Sequence, residues 1–278
     1  MCELFGVSSR DDFYANDYLK TFYAHSDFHP HGWGLACVSR NSALVEKESV
    51  KASTSNYLRE RLSQPITEKL LLAHIRYATI GNVEYKNCHP FTGRDSTGRR
   101  WTLIHNGTIF DYPALYPYLK TQKGDTDSER VFLYLMDKLN EAMRQNGARL
   151  HFEERFKLLD EIICDMTKGN KLNLIFTDGK YLYAHTNCKG TMRYLEKDGA
   201  ALVSTLPLSD ENWQPVSVTD NVDSKLLIFC VFALLILLFF KIGVTDVQDV
   251  VDVVFQLDVD VVFVNRYLFD QQFKIVFL

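Results

Sequence analysis

The sequence lacks an excess of positive charge. Its 31 lysines and arginines face 35 acidic residues, for a net charge of −4 and a pI near 6.1. Nucleic-acid binding normally calls for a basic face, so no nucleic-acid partner is expected. Paired cysteines are missing as well. Cys2, Cys37, Cys88, Cys164, Cys188 and Cys230 form no CxxC motif and no regular framework. The start has neither the basic nor the long apolar segment of a secretion signal, and together these absences fit a reduced, cytoplasmic setting. No histidine pair has the spacing of a known zinc site and no His-Glu-x-x-His run occurs, so neither metal nor cofactor is expected. No apolar run reaches the ~20 residues that span a bilayer. The run 226–240 is roughly fifteen residues between Lys225 and Lys241, about 22 Å as a helix.

What is present is ordinary globular composition, 46% hydrophobic and 24% charged over 278 residues, enough for one large domain or one domain plus an appendage. Apolar, β-prone stretches occur at Leu4–Val7, Gly34–Val38, Leu70–Ile75, Trp101–His105, Leu172–Phe176, Tyr181–His185 and Ala201–Ser204. Asp178-Gly179 suggests a hairpin turn. Helices are expected at Tyr14–Phe22, Asn56–Arg61, Ser128–Asn140 and Arg149–Met166; in the third, Val131, Phe132, Leu135, Met136 and Leu139 recur at helical spacing. Strands grouped with helix pairs, without strict alternation, favour antiparallel sheets covered by helices. Composition shifts after about Val222, which divides the chain into a domain over 1–220 and a hydrophobic tail over 221–278. The tail contains the 226–240 run and a Val/Asp-alternating stretch at Val244–Phe263. It admits three readings: a buried terminal element, a membrane or partner anchor through 226–240, and an unnatural end from a reading-frame error.

The chemistry begins at Cys2. Loss of Met1 would leave a cysteine whose thiol and α-amine share one residue. With a reference pKa of about 7.7–8.0, that amine can serve as a base near neutral pH. Further along, Arg76 follows an apolar strand in Ala73-His74-Ile75-Arg76-Tyr77-Ala78-Thr79. His105-Asn106-Gly107 ends a second strand, and Gly124-Asp125-Thr126-Asp127-Ser128-Glu129 leads into a helix. With Met-Cys-Glu-Leu-Phe-Gly at the start, Gly32-Trp33-Gly34 and Asn87-Cys88-His89-Pro90-Phe91, these pieces follow one order over the first ~130 residues. In that order the sequence resembles the class II glutamine amidotransferases, the cysteine branch of the N-terminal-nucleophile hydrolases. The likeness continues more thinly to Ser204-Thr205-Leu206-Pro207-Leu208 and Glu211-Asn212-Trp213.

The resemblance implies an α+β fold, a four-layer αββα sandwich of two antiparallel sheets with helices outside. It implies Cys2 as nucleophile, with the Asn106 side-chain amide and the Gly107 N–H as an oxyanion hole. Arg76 would grip the substrate α-carboxylate through its planar fork. Asp127 would take the α-ammonium, and Thr79 could add a hydrogen bond to the carboxylate. As a plain helix feature, either Asp127 or Asp125 could be the N-cap of the helix at Ser128. His74, His89 and His105 are expected to orient loops by hydrogen bonds, and Gly32-Trp33-Gly34 to be a structural turn. The implied reaction is cleavage of the side-chain amide of glutamine, or of a γ-glutamyl amide, through a Cys2 thioester. No phosphate-binding loop or sugar-phosphate motif follows the matched region, so a stand-alone enzyme is expected. Its partner would be a small molecule, and a homo-oligomer is compatible. A γ-glutamyl sensor and an ammonia-donating subunit for a separate synthase are the alternatives.

Overall fold

In the computed structural model, which describes residues 2–39, 42–216 and 226–229, twelve strands build two sheets. The first sheet has the order β11 (Gln214–Pro215), β9 (Arg193–Lys197), β10 (Ala200–Ser204), β1 (Glu3–Tyr14), β4 (Thr67–Ile75), β2 (Trp33–Val38) and β3 (Ala43–Glu48). The second has the order β12 (Leu226–Phe229), β8 (Leu182–Thr186), β7 (Lys171–Thr177), β6 (Arg100–Thr108) and β5 (Phe91–Arg94). Every neighbouring pair is antiparallel.

The period of two along each strand sorts side chains into three cores. On β4, Leu70 and Leu72 join Leu4, Ile104, Ile175, Ala201 and Val203 in the core between the sheets. Their neighbours Leu71, Ala73 and Ile75 face the other way, onto Leu19 and Phe22 of α1 (Asn16–Ala24) and Leu58 of α2 (Asn56–Ser63). The far face of the second sheet packs Leu103, Leu172, Leu174 and Phe176 against α3 (Asp127–Asn146) and α4 (Phe152–Met166). Helix, sheet, sheet and helix form four layers, the expected αββα sandwich.

Each β-prone stretch and helix anticipated from the sequence corresponds to an element, with shifted ends. The third helix runs on to Asn146, because Met143 keeps the buried stripe going until Gly147 turns left-handed. Its N-cap is neither Asp125 nor Asp127. Thr126 takes the role, its hydroxyl accepting the Glu129 N–H at 3.2 Å. The strands not anticipated, β3, β5, β9, β11 and β12, are short, and β3 and β9 each carry three charged residues, a composition that reads as loop. Beyond position 220, Leu226–Phe229 pairs with β8 as β12 and covers an edge of the second sheet. The rest of the 226–240 run and the Val244–Phe263 stretch lie outside the described residues. Among the described residues no helix is long and apolar enough to cross a membrane.

Candidate active site

Cys2 stands at the mouth of the central strand of the first sheet. Glu3 pairs with Ile75 and Leu4 with His74, so Cys2 meets the chain where it leaves β4. The Tyr77 N–H donates to Cys2 Sγ at 3.3 Å, and the thiol can donate back to the Tyr77 carbonyl at 3.5 Å. Strand alternation places Cys2 on the face of Leu4, towards the gap between the sheets. The start of β1 is clamped from β10. Thr205 Oγ1 accepts the Leu4 N–H at 3.2 Å, and the Leu4 carbonyl accepts from Thr205 N at 3.0 Å and Ser204 Oγ at 3.1 Å. Burial pushes the Cys2 thiol up to about 11; the Tyr77 N–H and the Arg76 charge oppose that, and the Asp127 carboxylate adds to it. Those influences place the proposed nucleophile in the field of both proposed substrate anchors.

Arg76 continues the β4 face that carries Leu70, Leu72 and His74. Its backbone is fixed by Gly32, whose carbonyl accepts the Arg76 N–H at 2.8 Å. The buried guanidinium donates to the carbonyls of Asn82 at 2.9 Å, Ile80 at 3.0 Å and Gly81 at 3.3 Å, so the loop after β4 is wrapped around it. Asp125 secures the loop from the far side, accepting from Asn82 N and Nδ2 and from Asn87 Nδ2. Thr79 is exposed on this loop. Asp127 opens α3, where the helix dipole favours a carboxylate. Its Oδ2 accepts the Ile109 N–H and its Oδ1 the Ser128 N–H, both at 2.9 Å.

Asn106 and Gly107 lie near the C-terminal end of β6. Leu172 O accepts from Asn187 N on the β8 side, so alternation turns the peptide groups of Asn173 and Ile175 towards β6. Their register partners there are Asn106 and Ile104. The N–H and C=O groups of His105 and Gly107 therefore point to the opposite edge, where β5 has already ended at Phe91, opposite Leu103. The Gly107 N–H is thus turned away from the ladder. A side chain is barred at this position, since a Cβ on Gly107 would lie 2.0 Å from the Lys171 carbonyl oxygen. Asn106 shares the inter-sheet face of Ile104, and its buried Oδ1 has no partner among the described residues.

A cysteine under an anchored peptide, flanked by a buried arginine and a helix-end aspartate, with ladder-free donors on the facing sheet, is an acyl-transfer arrangement. The family model for class II glutamine amidotransferases matches residues 1–198. The chain belongs to the class II glutamine amidotransferases. It is similar to an uncharacterized protein of Methanocaldococcus jannaschii, MJ1515, with 31% identity over 195 residues, 68% of this chain and 52% of the relative. It is also similar to YafJ of Escherichia coli, named provisionally as a glutamine amidotransferase, at 28% identity over 74% of this chain and 80% of YafJ. The chain therefore spans about half the length of the first relative. A solved structure of a predicted glutamine amidotransferase from Pseudomonas aeruginosa shares the fold, with a TM-score of 0.53, 21% identity, and coverage of 82% of this chain and 97% of that one.

In this amidotransferase the histidines differ in role. His74 donates from Nε2 to the His105 carbonyl at 3.2 Å, and His105 Nδ1 meets Ser128 Oγ at 2.9 Å. His89, expected to orient its loop by hydrogen bonds, has neither ring nitrogen bonded among the described residues and instead stacks on His74 with centroids 4.0 Å apart. Burial pushes His74 down to about 3 and lowers His89 and His105, which favours the neutral imidazole at all three. Among the described residues no group of three potential ligands could hold a metal. Cys37, Cys88 and Cys188 are free thiols, Cys164 Sγ contacts Asp160 Oδ1 at 3.5 Å, and Cys230 lies outside the described residues. The sequence offered no role for Tyr77, Asn87, Ser128 or Thr205, and for Asp125 only that of a helix cap. Asn87 and Asp125 stood inside matched motifs; Tyr77 acts through its backbone, which no side-chain pattern reveals.

Proposed function

We propose that this amidotransferase is an amidohydrolase cleaving the side-chain amide of glutamine, or a γ-glutamyl amide, through a thioester on Cys2. The single observation that carries the proposal is the position of Cys2, held by the Tyr77 peptide within the fields of Arg76 and Asp127. With Met1 attached, burial keeps the thiol protonated at neutral pH. Removal of Met1 places a free α-amine on the same residue, and that amine takes the thiol proton. The thiolate adds to the amide carbon, and the negative charge on oxygen is met by the Asn106 amide and the Gly107 N–H. Collapse breaks the C–N bond. The leaving nitrogen takes the proton from the α-amine and departs as ammonia or an amine. Water, losing its proton to the same amine, then hydrolyses the thioester to a γ-carboxylate and regenerates the thiol.

Substrate binding falls to the two charged anchors. A carboxylate offers Arg76 charged acceptors in place of neutral loop carbonyls, a stronger pairing for a guanidinium. Asp127 presents a buried carboxylate to the α-ammonium, and Thr79, exposed on the loop, can donate to the carboxylate. The test is a screen of glutamine and γ-glutamyl amides for released ammonia or amine, with intact-mass measurement of the protein. Activity should accompany the chain lacking Met1 and vanish in Cys2→Ala. Full activity in a form carrying an uncleavable N-terminal extension sinks the proposal.

A further inference from the structure

His74 contributes neither charge nor nucleophile to the reaction proposed above, yet it is fully buried in the gap between the sheets. Its Nδ1 has no partner among the described residues, and neither ring nitrogen of the His89 stacked upon it has one. Burying imidazole nitrogens unsatisfied is costly, and a phenyl ring would fill the same space without that cost. The one side-chain hydrogen bond that His74 makes among the described residues is what distinguishes it from a phenylalanine. Its Nε2–H meets the carbonyl of His105, which is the peptide that leads into Asn106.

That carbonyl stands at the edge of β6 where, among the described residues, no strand follows. The β5–β6 register pairs Phe91 with Leu103, so the position opposite His105 would be residue 89. The chain does not continue there. Segment 89–90 turns to the first sheet instead, where the His89 carbonyl lies so close to Gly34 that a Cβ there would sit 1.9 Å from its oxygen. An imidazole from the first sheet supplies the donor that the ladder has lost. His74 stands two residues before Arg76 on the strand beside Cys2, so the bond ties the sheet of the nucleophile to the peptide that aims the oxyanion donors.

The geometry points to His74 as a positioning residue, setting the His105–Asn106 peptide plane and hence the aim of the Asn106 amide and the Gly107 N–H at the reacting carbonyl. The inference rests on the amidohydrolase proposal for its kinetic consequence only. Removing the donor leaves substrate contacts in place and misaligns groups that act in the transition state, so the loss falls on kcat.

The test compares His74→Phe, which keeps the stack on His89 and loses the donor, with His74→Gln, whose side-chain amide can still donate. His74→Met replaces the phenylalanine variant should that one not fold. On the amide that wild type turns over best, His74→Phe should lower kcat about a hundredfold with KM changed less than about threefold, and His74→Gln should regain about tenfold of the loss. Backbone hydrogen exchange, followed by mass spectrometry, should quicken at residues 104–108 in His74→Phe and stay near wild type in His74→Gln. Equal kcat in the two variants, or a loss confined to KM, overturns the assignment. If wild type cleaves no amide, the amidohydrolase proposal fails separately, and the exchange comparison alone decides the positioning role: unchanged exchange in His74→Phe overturns it.

Discussion

The two sheets bring their polar groups to the site in opposite states. On the first sheet the groups are already partnered: Arg76 donates to three loop carbonyls, and Cys2 Sγ exchanges hydrogen bonds with the Tyr77 peptide. On the second sheet the Gly107 N–H faces away from β7 at an edge that β5 does not reach, and the Asn106 Oδ1, the acceptor end of the amide proposed to donate through its nitrogen, has no partner among the described residues. The difference fits the roles proposed for each side. Ground-state binding groups can hold a protein partner and exchange it for a charged substrate group. Donors for a charge that exists only in the transition state must be waiting and rigid.

Breaking the second sheet's side should have the larger effect. Asn106→Ala should lower kcat about a hundredfold with KM little changed, and leave the thermal midpoint near wild type. Gly107→Ala should cost activity to a similar degree and stability by about 2 kcal/mol or more, because the clash is with the backbone of β7 and no side chain can rotate away. Steady-state kinetics and urea unfolding separate the two. Equal stability for both variants would mean that β6 and β7 part more easily than their register implies.

On the first sheet's side, Arg76→Lys should act mainly on KM, raising it about tenfold or more, since an ammonium has neither the fork nor the reach to three carbonyls. Asp127→Asn on α3, which covers the second sheet, should also raise KM by removing the charge that complements an α-ammonium. An unchanged KM in both removes them from the pocket. If Arg76→Lys lowers kcat alone, the arginine serves the loop and not the substrate.

The smallest effect concerns the thiol of a chain that retains Met1. Its folded pKa, about 11, lies above the free value of 9.0, so folding favours the protonated form. The stability this contributes is complete below the unfolded pKa and is lost as pH rises from 9.0 towards about 11. The difference in unfolding free energy between wild type and Cys2→Ala should therefore shrink across that window. A flat difference would show that the thiol is better solvated than its burial between the sheets implies.

Much of the fold was legible because strand alternation is written locally. Leu70, Leu72 and His74 on one face of β4, with Leu71, Ala73 and Ile75 on the other, follow from a period of two whatever they pack against. The matched motifs likewise ordered Cys2, Arg76, Asn106, Gly107 and Asp127 along the chain. Short charged strands such as β3 (ALVEKE) and β9 (RYLEK) stayed hidden, since their few buried residues are recognisable only beside the neighbours that bury them. The cap of α3 was misplaced because Asp125, Thr126 and Asp127 are all good caps in isolation. Asp125 is taken by Asn82 and Asn87 from another loop, and Asp127 by Ile109, which leaves the position to Thr126.

The sequence by itself determined which side chains share a face, where the helical stripes run, and which residues are candidates for nucleophile, donors and charged anchors. The tertiary structure alone decided what each of those groups touches. It set the three carbonyls around Arg76, the Tyr77 peptide against Cys2, the edge left open beyond β5 and the imidazole of His74 that fills it. The physical reason is range. Alternation and helical spacing are set by a residue's near neighbours, whereas each of these contacts depends on how strands or loops distant in sequence are placed, which only the packing of the whole sandwich fixes.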